Sequence, residues 1–363
     1  MLCKHFGICG GCQIQNISYK EQLEIKVKNV IDLFGKEPEE IIPSPKIYYY
    51  RNRMDWAIGR NYEVGLKEYG KWWAYVDIYE CLLQSKESDE IRNKFREFIK
   101  EKNIEPWDNI KHKGLVRYLI IREGKFTGER MITILLSKNE NNIFKEFLDI
   151  IKDKITSAYI GINKEISDIS YAKEKYLIYG KKYLEEKILD NIYYILPNSF
   201  FQPNSYTLET MIKRVVEFLD PKENEIIFDL YSGIGTFSIE IAKYCKEVIG
   251  VDIEKEAEEL FFLNSEKNEI KNTKFILERV EDINEIKSNK VVMDPPRSGC
   301  HPKVLKNLIK SGIKKIVYVS CNPKTQNRDI KFLIKKGYNL EKYILIDQFP
   351  HTFHIESIAV LER

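Results

Sequence analysis

Two grammars of apolar and polar positions divide the chain. From 45 to about 197, short runs rich in aromatic and β-branched residues are bounded by Gly, Asn or charges. They predict strands over 53–58, 62–66, 72–76, 115–122, 131–136 and 192–196. Helical spacing predicts helices over 89–101 and 142–152. Ahead of this region, 18–33 reads as a helix, with Ser18 and Glu21 in the relation of a capping box and Gly35 and Pro38 beyond its end. After Asn204 the pattern changes to apolar strands alternating with helical periodicity. Strands are expected over 226–230, 247–251, 274–277, 290–293, 315–319, 343–346 and 355–361, with helices over 236–244, 255–267, 302–310 and 324–336. This βαβ series predicts a mostly parallel, doubly wound sheet with helices on both faces. The boundary is expected near 195–205. It separates a mixed α+β part (1–200) from an α/β part (201–363).

No apolar run approaches the ~20 residues of a membrane-spanning helix. The opening residues, Met1 to His5, lack the apolar stretch of a secretory signal. Basic side chains number 58 and acidic ones 55, which excludes a histone-like polycation. The whole excess lies before residue 200. The stretch 111–125 carries Lys111, Lys113, Arg117, Arg122 and Lys125 against Glu123. It reads equally as a phosphate-neutralising strip or as a solvated strand. Seven cysteines, an odd number without a signal, argue against a disulfide framework.

Candidate chemistry gathers at predicted strand ends. In Asp229-Leu-Tyr-Ser-Gly-Ile-Gly235, the two glycines permit a tight turn and close approach of a ligand. Ser238 breaks the GxGxxG phosphate fingerprint, which disfavours a dinucleotide fold. Asp252, ending the next strand, suits the two hydroxyls of a ribose, or else caps the following helix. With Asp294 these groups suit S-adenosylmethionine, whose ribose and amino-acid moiety need hydroxyl, amine and carboxylate partners. Asp294-Pro-Pro-Arg-Ser-Gly299 follows a strand directly. Arg297 stands where amino-group methyltransferases carry an aromatic residue, which favours another acceptor atom. Cys321, before Asn322-Pro323 on the same sheet edge, is a candidate nucleophile. Cys245 reads as packing, and Cys300 is ambiguous. Cys3, Cys9 and Cys12, with Cys81 as a fourth, suit zinc or an iron–sulfur cluster, against free buried thiols as the plain alternative.

These motifs, with Phe200-Phe-Gln202-Pro-Asn204 and His351-Thr-Phe-His354-Ile-Glu356, come in the order of the RNA uracil-5-methyltransferase family. The chain resembles that family's iron–sulfur-containing branch along nearly its whole length. The resemblance implies a Rossmann-like methyltransferase domain over 201–363, preceded over 1–200 by a cluster segment and a central α+β RNA-binding domain. It implies methyl transfer from S-adenosylmethionine to carbon 5 of a uridine in 23S ribosomal RNA, with the same reaction on transfer RNA as alternative and a non-catalytic RNA-binding scaffold as another. Cys321 would be the nucleophile and Glu356 the base. Gln202, Tyr231, Gly233, Gly235, Thr236, Asp252 and Asp294 would surround S-adenosylmethionine, with Arg279 a further carry-over. Cys3, Cys9, Cys12 and Cys81 would bind a 4Fe–4S cluster. The implied setting is a cytoplasmic monomer without membrane contact. Many members carry a small RNA-binding barrel ahead of the cysteines. This sequence opens at the cysteines, so RNA is expected to be held differently. The paired cysteine motifs of RNA cytosine-5-methyltransferases are absent.

Overall fold

The computed structural model describes residues 1–363, the side chain of Asn141 excepted. The first helix, Tyr19–Phe34, starts on the expected capping box: Ser18 Oγ accepts from the Glu21 N–H, and the Glu21 carboxylate accepts from the Ser18 N–H. Gly35 ends it at φ 66, in the left-handed region. Strand β1 (Glu40–Ile42) then runs to the more distant of two sheets.

The nearer sheet holds β2 (Arg53–Ile58), β3 (Val64–Lys67), β4 (Tyr75–Asp77), β5 (Val116–Glu123), β6 (Arg130–Leu136), β7 (Ser157–Ile162) and β8 (Glu174–Gly180), in the order β4-β3-β2-β5-β6-β7-β8. It is antiparallel except between β6 and β7. Helices Lys86–Glu101 and Lys145–Ile151 bury Phe95, Phe98 and Phe147 in its core. A hairpin, β9 (Leu184–Ile188) and β10 (Asn191–Ile195), leads into helix Ser205–Leu219.

The second sheet comprises β1 with β11 (Ile226–Leu230), β12 (Glu247–Asp252), β13 (Thr273–Leu277), β14 (Lys290–Met293), β15 (Lys315–Ser320), β16 (Asn339–Ile346) and β17 (Glu356–Glu362). Its order is β1-β16-β17-β15-β14-β11-β12-β13. All neighbours are parallel except β17, which lies antiparallel to both β15 and β16. The chain order reverses direction between β11 and β14, and such a switch point opens a ligand crevice at the carboxyl ends of the strands. The α/β expectation for the second part thus meets a sheet whose last strand is inserted in reverse. No helix is long and apolar enough to cross a membrane among the described residues.

Three expectations change. The basic strip is not a solvated phosphate rail. Arg117 is buried, donates to the carbonyls of Asn163, Glu165 and Ser167, and lies over Trp107. Arg122 is buried against the carbonyls of Pro197 and Ser199, and Lys125 pairs with Glu123. The helix expected over 236–244 contracts to Ser238–Ile241 and one tighter turn, because the residues before it make the glycine turn. Strands β1, β7, β8 and β9 and helix Ser205–Leu219 were not anticipated.

Lys26 of the first helix reaches across to the loop between β16 and β17. Its Nζ donates to Asp347 Oδ1 at 2.7 Å and to the Phe349 carbonyl at 3.0 Å, and both charged side chains are sealed from solvent. Breaking such a pair leaves a bare buried charge. Lys26→Met is therefore expected to lower the urea-unfolding free energy by about 3–5 kcal/mol, while Lys26→Met/Asp347→Leu recovers most of it.

Candidate active site

The glycine turn follows β11. Tyr231 takes φ 65, Gly233 φ 52 and Gly235 φ 89, so the chain turns through the left-handed region three times in five residues. A Cβ at Gly233 would meet nothing within 4 Å, whereas at Gly235 it would press on Phe261 at 3.1 Å. The turn is therefore open on one side and packed on the other. Asp252, ending β12, fastens it: one carboxylate oxygen accepts from the Gly233 N–H at 3.0 Å and the other from the Glu254 N–H at 3.0 Å. Thr236 is buried, and its carbonyl accepts from the Tyr193 hydroxyl. Asp229, which sequence reasoning left without a role, lies wholly buried under the turn. Its carboxylate accepts from Ser238 Oγ at 2.6 Å, and burial pushes its pKa up to about 7.

Asp294 follows β14 at the same edge. Its carboxylate accepts from Gln202 Nε2 at 2.8 Å. Desolvation, with Asp229 adding its charge, raises it to about 7, and the Gln202 hydrogen bond works against that rise.

Cys321 and Glu356 meet because β17 is antiparallel. The last registered pair of β15 and β17 is Ser320 with Ser357, so one step further the chain sets Cys321 beside Glu356. Cys321 is half-buried. Burial, then the charges of Glu356 and Asp294, push its thiol up to about 11, while Arg297 and a backbone hydrogen bond at Cys321 pull the other way. Glu356 is 1% exposed and its Oε2 has no hydrogen-bond partner. Burial and the Asp294 charge hold its carboxyl well above the ordinary range. Arg297 is 3.4 Å from His354 Nδ1, and its carbonyl accepts from Asn322 Nδ2. Cys300 is buried against Met293, and Cys245 lies in the core, which leaves both out of the site.

Beside these groups a cavity of about 600 Å³ opens between the two sheets. Arg51, Arg53 and Lys67 line it with Phe200, which is 66% exposed, and His354; Arg53 is paired with Asp55 and Lys67 with Asp168. Cationic side chains with an accessible ring suit phosphates and an unstacked base. Sequence reasoning missed Arg51 and Arg53, whose pattern Tyr-Arg-Asn-Arg was a signal left unused.

Cys3, Cys9, Cys12 and Cys81 face one enclosed pocket with Phe6, Leu66, Ile78 and Leu83. Burial pushes the thiols of Cys12 and Cys81 up to about 12. Among the described residues, no three or more His, Cys, Asp or Glu side chains are disposed to hold a metal ion. The metal site expected at these cysteines is therefore not shown by the arrangement of their side chains.

An open glycine turn at a sheet switch point, with carboxylates on the adjoining strand ends, is a ligand-binding edge that suits an S-adenosylmethionine-dependent methyltransferase. The comparisons carry this further. Residues 19–363 match the family described as tRNA (uracil-5-)-methyltransferase, and the chain belongs to it. An uncharacterized RNA methyltransferase of Nanoarchaeum equitans is 48% identical over 99% of this chain and 80% of its own length. A tRNA (uracil(54)-C(5))-methyltransferase of Pyrococcus furiosus is 41% identical over 99% of this chain and 85% of its own. The crystal structure of Pyrococcus abyssi tRNA (uracil-54, C5)-methyltransferase in complex with S-adenosyl-L-homocysteine superposes with a TM-score of 0.84 at 38% identity, covering 97% of this chain and 86% of that one. The protein is an S-adenosylmethionine-dependent RNA uracil-5-methyltransferase, and the scaffold alternative is set aside.

Alkylation of Cys321 by iodoacetamide, followed on its peptide by mass spectrometry, should rise with pH toward a midpoint near 11. Arg297→Leu should move that midpoint higher, because it removes the one charge that favours the thiolate. A wild-type midpoint near the ordinary ~8.5 would contradict the reading of the site.

Proposed function

We propose that the chain methylates carbon 5 of a uridine in transfer RNA, at the position equivalent to 54, through Cys321 and Glu356. The observation that carries the chemistry is the juxtaposition of Cys321 and Glu356 at the edge that also bears the open glycine turn. The acceptor RNA rests on relatives named for uracil 54 of transfer RNA, which displaces the ribosomal target expected from sequence.

Uracil carbon 5 is too weak a nucleophile for a sulfonium methyl group. Cys321 first gives its proton to the Asp294 carboxylate, and a pKa near 7 suits that group to accept one at neutral pH. The thiolate adds to carbon 6, forming a C–S bond and an enolate. Carbon 5 then takes the methyl group, and the methyl–sulfur bond of the donor breaks to leave S-adenosylhomocysteine. Glu356 removes the carbon-5 proton, the ring double bond re-forms and Cys321 leaves as thiolate. Arg297 offsets the charge on the sulfur while it is free. Gln202, Tyr231, Gly233, Gly235, Thr236, Asp252 and Asp294 surround the donor. The open side of the turn is the observation that fits it, and Asp252 is already placed at its rim.

The four cysteines are assigned to a 4Fe–4S cluster. Support comes from four thiols that line one small pocket together with Phe6, Leu66, Ile78, Leu82 and Leu83, a sulfur donor set that suits such a cluster. Such a cluster would tie the first twelve residues to Cys81, and no step of methyl transfer passes through it.

Cys321→Ala should abolish methylation while RNA binding persists, measured by methyl incorporation and filter binding. Glu356→Gln should still add and alkylate but fail to eliminate, leaving a protein–RNA adduct that survives denaturing gels. Transfer RNA should be methylated and 23S ribosomal RNA ignored; the reverse overturns the acceptor assignment. Anaerobic reconstitution should load iron and sulfide in equal amounts and raise the melting temperature. Stoichiometric zinc without sulfide would remove the cluster.

A further inference from the structure

A buried amide outside the expected site touches its electrostatics. Gln348 lies two residues past β16 and is fully buried. Its Nε2 donates to Gln202 Oε1 at 3.1 Å, and Gln202 Nε2 donates to the Asp294 carboxylate at 2.8 Å. A carboxylate accepts only, so the end of Gln202 that faces Asp294 must be its NH2. The opposite end must then be the carbonyl oxygen, which needs a donor in a place closed to water. Gln348 is that donor. The neighbourhood fixes the backbone that carries both amides: Asn52 Nδ2 donates to the main-chain carbonyl of Gln202, and Asn204 Nδ2 donates to the main-chain carbonyl of Gln348. Among the described residues the only other hydrogen-bond partner of Gln348 Nε2 is the Met211 sulfur at 3.6 Å, and its own Oε1 is unpartnered. An orphaned buried acceptor has a cost that packing alone does not repay, since an apolar side chain of equal size would avoid it.

We propose that Gln348 is a positioning residue that fixes the orientation of the Gln202 amide and thereby keeps a hydrogen-bond donor aimed at Asp294. The inference rests on the reading above, in which the ionised Asp294 takes the thiol proton. Without Gln348, Gln202 is free to turn its oxygen toward Asp294, where two acceptors oppose each other. A carboxylate that loses a donor protonates at higher pH. Activity that depends on the carboxylate is lost as pH falls through that higher value, so the acidic limb of the rate profile moves toward alkaline pH.

The test uses the full-length protein, transfer RNA and S-adenosylmethionine. Gln348→Met keeps the volume and the Met211 contact and removes the donor. Gln348→Glu keeps the shape and, when ionised, draws the Gln202 NH2 to itself. Both variants should raise the midpoint of the acidic limb of kcat/KM by about one pH unit, the worth of one charge-assisted hydrogen bond. At neutral pH kcat/KM should fall by roughly tenfold, most in Gln348→Glu, while the melting temperature of Gln348→Met stays close to wild type. Gln348→Glu carries the test if Gln348→Met fails to fold. A lowered melting temperature with an unmoved pH profile would make Gln348 merely structural and overturn the proposal. Cys321→Ala, run alongside, separates the two layers. If it is active, the reading of the site falls. If it is inactive and the Gln348 profiles match wild type, only the present inference falls.

Discussion

The reversed insertion of β17 between β15 and β16 is the constraint on which the site depends. A strand running parallel there would deliver its first residue to the opposite edge of the sheet. Running antiparallel, it brings Glu356 to the edge where β11, β14 and β15 end, beside Cys321 and near Asp294. The carboxyl edge of a doubly wound sheet is already where ligands sit. The inserted strand adds a titratable group to that edge without lengthening any loop.

That placement has an electrostatic price, since Asp229, Asp294, Glu356 and Cys321 are acids crowded where water is scarce. Each raises the pKa of a neighbour or has its own raised by burial, and the only cation acting directly on the thiol is Arg297. Paired acids with displaced titrations are what proton transfer near neutral pH requires. The same crowding favours a cationic sulfonium donor over a neutral one.

Much of this was legible before the structure. The capping box at Ser18, the glycine turn, and the strand-end positions of Asp252, Asp294 and Cys321 all follow from local rules, because turns and caps are local. What was missed has different causes. Helix Ser205–Leu219 had Asn204 as its cap and apolar residues at 208, 211, 212, 215, 218 and 219, so its signal was present and passed over. Strand β7 is buried throughout, and a short all-buried run carries no alternation to read. Arg117 and Arg122 misled because charge in a sequence says nothing about which carbonyls will surround it. Gln348 and Asp229 could not be singled out, since their importance lies in partners many residues distant.

The loop ahead of β17 is grasped by residues from the opposite end of the chain. The His351 carbonyl accepts from the N–H groups of Gln13 and Ile14, Gln22 bonds the His351 backbone and ring, and Tyr50 reaches the Pro350 carbonyl. The course of the loop that leads into Glu356 is therefore set by residues 300 or more positions earlier in the sequence. A change at Gln22 or Tyr50 would reach the edge of the sheet through this loop without touching any group there.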